Sequence, residues 1–391
     1  MKKRAFTILL ALLIAAALSI PALAQGEDKY YGVALANELE RVLEEDIKIP
    51  EDGTANSQAD WILFAISLDG EYRSPLPDAA VSYAAYAARC VETAGDSLSL
   101  NDAARWLLAL RSVQANGIRT NIEEELLGRL LEWDYSGETL TGSISYAIIA
   151  IRAYYGKEDE KSELVVSSLA TALLGGQRKD GGYNYLLKEE PGNEYSKDSD
   201  PDSTAAAMTA LWLAGEYTEA FEPEKDYKSA EETDAAVLAS IARAYNYLKA
   251  AQLPSGGFGM FGESAESDAQ VIIALCTMGV DPNGFSSAEG KSVVDSLESF
   301  RTDNHMTRGA DGQENLMSSY QTLLALNALK RFEGSTEGLS SIYSFAASSK
   351  PVNEDPMLNY YIAGAGIAAI VVVVIVSMIA RRRYNKKHAE A

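Results

Sequence analysis

Over 234–251 the apolar residues Val237, Ile241, Ala244 and Leu248 fall at i, i+4, i+7 and i+11, one greasy stripe on an otherwise polar helix. Such a helix lies outside, half solvated. From 269 to 280 the residues Val271, Ile272, Ile273, Leu275, Cys276 and Met278 leave almost no polar face, so this helix is covered by protein on most sides. Between the two, Pro254, Gly256 and Gly257 break the first helix, because proline lacks the N–H and glycine accepts left-handed geometry. Phe258 then turns back onto the packed layer, and Ser267 or Asp268 is placed to cap the second helix.

The same dry pattern returns along the chain. A small or acidic cap, seven residues, then alanine and an apolar residue define candidate inner helices at 78–86, 143–151, 203–211, 267–275 and 318–326. Their alanines are Ala85, Ala150, Ala210, Ala274 and Ala325, spaced by 65, 60, 64 and 51 residues, a period that suits a helical hairpin with its loops. Candidate outer helices occupy 101–113, 122–133, 161–175, 234–251 and 291–300; 29–46 reads as an amphipathic helix and 59–68 as a compact apolar one. No period-two strand competes. The pattern predicts an all-α array of hairpins. Polar loops at 188–202 and 216–233 are expected together at one rim.

The termini read differently. Residues 1–24 have the basic start, apolar run and Ala22-Leu23-Ala24 site of a secretory signal. Residues 360–380 are uncharged and apolar, and at about 1.5 Å per residue they reach roughly 31 Å, enough to cross a bilayer. Arg381, Arg382, Arg383, Lys386 and Lys387 follow, which predicts a cytoplasmic tail (381–391), a linker at 350–359 and an extracellular body at 25–349. With both termini set aside, the formal charge of −22 becomes 26 basic against 55 acidic side chains in the body, a balance of −29. That argues against nucleic acid, teichoic-acid-like polyanions and anionic lipid as direct partners. Cys90 and Cys276 sit in apolar helical contexts, where cysteine behaves as a small hydrophobe; pairing between them is left open.

The segments DWILFAIS at 60–67, LTGSISYAIIAI at 140–151, QRKDGGY at 177–183, DPDSTAAAMTAL at 200–211, QLPSGGF at 252–258, ESDAQVIIALCTMGVDP at 266–282 and YQTLLALNALKRF at 320–332 together resemble the prenyltransferase and terpenoid-cyclase superfamily. Within it the chain is most similar to the secreted prenyltransferase-repeat proteins of Gram-positive bacteria, related to the α-domain of cobalamin carriers. The resemblance spans roughly residues 58–345. It implies an (α/α)6 toroid of about six helical hairpins, with inner helices around a central cavity, to which the C-terminal transmembrane helix is added. One scaffold serves several functions in that superfamily.

DPDSTA at 200–205 resembles the D-x-D-D-T-A motif in which the middle aspartate is the general acid of class II cyclases, and Asp202 matches that acid; Ser203 replaces the aspartate that follows. The competing and preferred reading makes Asp202 the N-cap of its helix. Tyr146, Asp202, Ser203, Trp212, Asp268, Gln270, Tyr320 and Gln321 are the candidates for lining the cavity. Gln177 and Gln252 read as scaffold, bonding to backbone at the next helix start while Tyr183 and Phe258 pack over their turns. No metal or cofactor is expected. His305 and His388 are the chain's histidines, and the alternating Asp198, Asp200 and Asp202 lack the glycine and distal glutamate of a calcium loop. The absence of G-x-S-x-G, P-loop and HExxH patterns removes support for serine-hydrolase, phosphoryl-transfer and metalloprotease chemistry. The expectation is a non-catalytic, membrane-anchored extracellular binding module that captures a small molecule, cobalamin-like or prenyl-like, or a protein partner, close to the membrane and suited to serve a neighbouring transporter. A cyclase-like enzyme with Asp202 as acid and a structural adhesin are the alternatives.

Overall fold

The computed structural model describes residues 56–68, 77–113, 121–225, 227, 232–302, 306–335 and 341–345. Eleven α-helices lie among them: α1 (Ser57–Ser67), α2 (Pro77–Ala94), α3 (Leu100–Val113), α4 (Asn121–Glu132), α5 (Thr141–Arg152), α6 (Glu160–Gly176), α7 (Pro201–Gly215), α8 (Glu232–Ala251), α9 (Ala265–Thr277), α10 (Val293–Ser299) and α11 (Leu316–Gly334). β-Pairing among the described residues is confined to isolated bridges such as Tyr183 with Asp200. The odd-numbered helices pack in sequence, α1 on α3, α3 on α5 and onward to α11, and α11 packs back on α1, so the ring closes. The even-numbered helices form the outer layer. The architecture is an all-α toroid.

Neighbouring inner helices run parallel. First-turn residues meet first-turn residues: the Ser318 hydroxyl of α11 donates to Glu266 of α9, and the sixth residues of the same two helices, Gln321 and Gln270, are joined at 3.3 Å. All inner N-termini therefore open on one face. The opposite end is plugged by residues 341–345. Tyr343 stacks on Phe64 of α1 with ring centroids 5.8 Å apart, and the Ser341 hydroxyl meets Thr277 at the end of α9 at 3.1 Å. The central hollow is thus blind and reached from the N-terminal face.

The inner helices expected at 143–151, 203–211, 267–275 and 318–326 fall within α5, α7, α9 and α11. The first hairpin is inverted. Residues 78–86 belong to outer α2, and the helix read as outer at 101–113 is inner α3. The charges of α3 misled the pattern: Arg105 is turned inward and bonded through Nε to the buried Asp60 at 2.6 Å, while Ala103, Ala104, Leu107, Leu108 and Ala109 are all fully buried. The two polar loops also part company. Residues 188–200 lead into α7 at the open face, whereas 216–225 follow it at the plugged end, where the Phe221 amide donates to the Met278 carbonyl at 2.8 Å.

The glutamine turns lock neighbouring hairpins together. Gln177 Nε2 donates to the carbonyls of Gly181 in its own turn and Ser240 in α8, and Gln252 Nε2 likewise to Gly256 and Phe285. The partner is the turn and the adjacent outer layer, which corrects the expected bond to the next helix start. Gly256 has φ +96°, and a Cβ there would sit 2.2 Å from the Ser292 carbonyl oxygen, so only glycine closes this turn. Both cysteines are buried free thiols. The transmembrane helix expected at 360–380, the signal at 1–24 and the helix at 29–46 lie outside the described residues, and among those described no helix is long and apolar enough to cross a membrane.

Candidate functional site

Asp200 caps α7: its Oδ1 accepts from the Ser203 amide at 2.7 Å. This corrects the reading of Asp202 as the cap. Helix α9 shows the same displacement, since Ser264, three residues before Ser267, accepts its amide. The helices begin one turn before their apolar runs, and Pro201 at the first helical position fixes the start of α7. Relieved of capping, Asp202 projects from the first turn of α7 at the wall of a hollow of about 450 Å³, shared with Tyr185, Asp200, Met260, Phe261 and Ser267.

Asp202 is exposed on the hollow, with the body of the ring behind it. Burial pushes its pKa up to about 6; the Ser267 hydroxyl opposes that, and the negative charges of Asp200 and Glu266 add to it. Asp200 is also raised by burial, with hydrogen bonds at the helix start pulling the other way. Its Oδ2 is buried, and the backbone N–H groups of Tyr185 and Asp202 are among those that oppose the rise.

Deeper in the ring, Tyr146 of α5 faces Tyr343, Gln270, Tyr320 and Asp202, and burial holds its hydroxyl at about 12. Trp61 of α1 lies against Tyr146 with centroids 5.5 Å apart. Tyr320, pushed up by burial, faces Gln321, Arg105 and Glu266. The structure therefore brings Tyr146, Asp202, Gln270, Tyr320 and Gln321 near one another inside the ring, with Asp202 and Ser203 at the wall of the hollow. It does not bring Trp212, which packs on Tyr217 and Phe221 of the loop that follows α7, with centroids 4.7 and 6.2 Å away.

Asp268 also leaves the group. It is fully buried behind α9, where Oδ1 accepts from the Phe258 amide at 2.7 Å and Oδ2 meets Ser296 Oγ at 2.5 Å. The same Ser296 oxygen lies 2.6 Å from Glu263. One hydroxyl hydrogen cannot serve two carboxylates, so one of them carries a proton. Asp268 is the holder: burial raises it to about 8, against the pull of Ser296 and Phe258 and helped by the charge of Glu263. A raised carboxyl contributes stability that is complete below its unfolded value and is lost as pH rises through the folded value. Between about pH 4 and pH 8 the melting temperature is expected to fall in the wild type and to fall less in Asp268→Asn, whose amide supplies the missing donor permanently. Thermal melts of both proteins across that window check this.

Three features escaped the sequence reading. Glu266 stands beside Asp202 as a second carboxylate. Tyr195 and Phe261 are strongly exposed, 63% and 84%, yet face each other edge-on at 6.0 Å. Tyr185, 42% exposed, completes an aromatic rim beside the acids. Aromatic residues within polar loops that precede inner helices were the available signal. No cluster of residues able to hold a metal occurs among the described residues.

No protein-family model matches the chain, and no curated protein matches it in sequence. Solved structures do match. Unsaturated glucuronyl hydrolase from Bacillus sp. GL1, responsible for the degradation of glycosaminoglycan, aligns with TM-score 0.57 over 82% of this chain and 99% of its own at 13% identity. A structure of UGL in an aspartate-to-asparagine form, with dGlcA-Glc-Rha-Glc, gives 0.56 over the same shares at 12% identity. At such identity the likeness is one of fold. The chains sharing it are hydrolases, which corrects the expectation of a non-catalytic binding module, and neither the cyclase nor the adhesin alternative gains from them. What stands is the toroid: a ring of parallel inner helices whose open face carries the acids.

Proposed function

We propose that this protein hydrolyses glycosidic bonds at the open face of its toroid, with Asp202 as general acid and Glu266 as the assisting carboxylate. The observation that carries the reading is Asp202 itself, a carboxyl held at about 6 beside a second acid in a hollow rimmed by exposed aromatics. The raised carboxyl keeps its proton to higher pH than a free aspartate, which suits donation nearer neutrality. Glycoside cleavage requires a carboxylic acid to protonate the leaving oxygen and a second carboxylate to activate water or stabilise the sugar cation. Aromatic faces such as Tyr195 and Phe261 offer apolar platforms to sugar rings. The hydrolases that share the fold support the reaction class. The kinship with prenyltransferase-repeat proteins belongs to the same proposal as a kinship of scaffold, carried by the glutamine turns. The placement outside the cell, tethered through 360–380, makes an extracellular glycan the accessible substrate.

The test incubates the full-length protein with a panel of neutral, acidic and amino-sugar oligosaccharides and analyses products by mass spectrometry. Fragments that sum to substrate plus one water support the reading. An unchanged panel at high enzyme concentration overturns it.

A further inference from the structure

The loop that joins α8 to α9 has an apolar tip on the hollow and a buried acid cluster at its base. At the tip, Met260 and Phe261 are exposed and form part of the hollow's wall. Phe261 meets the ring of Tyr195 on the neighbouring loop, 6.0 Å between centroids. The neck of the loop is pinched shut, because the Ser264 amide donates to the Phe258 carbonyl at 2.9 Å, and the Phe258 amide in turn donates to Asp268 Oδ1 at 2.7 Å.

Glu263 turns under the same loop, half-buried, to within 2.6 Å of Ser296 Oγ, whose other partner is Asp268 Oδ2 at 2.5 Å. The approach is close enough to require Gly257, where a Cβ would lie 2.2 Å from Ser296 Oγ and 2.3 Å from Glu263 Oε1. One added proton completes the cluster: Asp268 Oδ2 then donates to Ser296, and the Ser296 hydroxyl donates to Glu263. Without it, two carboxylates compete for one hydrogen. Burial comes first in holding that proton on Asp268, up to about pH 8, and the charges facing it, Glu263 from the loop and Asp202 from α7, act in the same direction. The other flanking acids are engaged elsewhere. Asp295 of α10 accepts from the Ser292 amide at 2.8 Å, and Glu266 accepts from Ser318 of α11. Asp268 is fully buried on α9 while Glu263 borders solvent, so Glu263 is the partner that departs when the proton is lost.

We infer that Asp268, Ser296 and Glu263 form a one-proton latch that holds the 258–264 loop, with Phe261 at its tip, against the hollow, and that losing the proton frees the loop and opens this wall. The latch is independent of the chemistry assigned to Asp202. Its test is hydrogen exchange of the full-length protein, followed by rapid mixing and mass spectrometry on peptides covering 258–264, beside Asp268→Asn and Glu263→Gln, each of which supplies the missing donor permanently. Comparison at a common pH cancels the intrinsic pH dependence of exchange. At pH 6 the three proteins are expected to agree within about twofold. At pH 9, where carboxylate is in about tenfold excess over acid at Asp268, the wild-type loop is expected to exchange at least about fivefold faster than either variant, with peptides from α5 and α7 unchanged. Either variant alone suffices, so a failure of one to fold leaves the comparison intact. A wild-type loop that exchanges at the variants' rate at pH 9, or a rise shared equally by α5 and α7, overturns the latch.

Discussion

Replacing Asp202 by asparagine is expected to lower kcat on a glycan substrate about 10³-fold while leaving KM within a few-fold. The amide keeps the shape of the carboxyl and its contact with Ser267 but cannot give up a proton. The loss should shrink on an aryl glycoside whose leaving group needs no protonation, which separates lost acid catalysis from lost binding. Stability should not suffer. The carboxyl's raised pKa, caused first by burial, means that the native state holds an ionised Asp202 less comfortably than the unfolded chain does. Removing that charge relieves repulsion from Asp200 and Glu266. A variant that melts as late as wild type and turns over a thousandfold more slowly is the expected pair of results; comparable kcat in the two proteins would assign the proton to another group.

The largest effect on folding is expected at Asp60. This aspartate is fully buried between α1, α2 and α3, accepting from Arg105 Nε at 2.6 Å and from the Tyr83 hydroxyl at 2.8 Å. Burial raises its pKa and the Arg105 charge opposes the rise, the arrangement of a buried ion pair. Asp60→Ala leaves the guanidinium, 11% exposed, with only the partly exposed Asp102. Breaking one side of such a pair costs about 3–5 kcal/mol, which in a domain of this size lowers the melting temperature by roughly 10 °C. Removing both charges together, as Asp60→Leu with Arg105→Met, should recover much of the loss, because the cost lies in the stranded charge more than in the missing bond. Differential scanning calorimetry of the single and double variants checks this. A double variant less stable than Asp60→Ala would mean that the pair itself holds the first two hairpins together.

These residues also mark where the chain was readable. Helices α5, α7, α9 and α11 are covered by protein over most of their length, and their runs of alanine and branched apolar residues announce that in sequence. Helix α3 is covered to the same degree, but the charges that Asp60 neutralises made it look solvated. Periodicity counts charges and cannot tell that a partner 45 residues away has absorbed one. The caps show a smaller failure of the same kind. Asp200, Ser264 and Asn315 each stand three residues before the serine chosen from the apolar pattern, because the first turn of an inner helix is polar wherever it opens on the hollow.

At the site, Tyr146, Gln270, Tyr320 and Gln321 were legible as inner-helix residues at equivalent depth. Trp212 shares their helix type but is the twelfth residue of α7, near the plugged end, where it packs on Tyr217 and Phe221 of the following loop. The difference between Asp202 and Asp268, both first-turn acids of inner helices, was not legible. One faces the hollow, and the other is turned back to share a proton with Ser296 and Glu263. Their roles follow from helix rotation, which a single sequence does not specify to within one residue.

The most direct test of the account is the pH dependence of kcat/KM for whichever glycan the panel shows to be cleaved, measured on the full-length protein from about pH 4.5 to 8.5. A limb that descends with an apparent pKa near 6, and is absent from the residual activity of Asp202→Asn, is the predicted result. Activity that rises through that range, or a descending limb that survives in Asp202→Asn, would contradict Asp202 as the acid of this face.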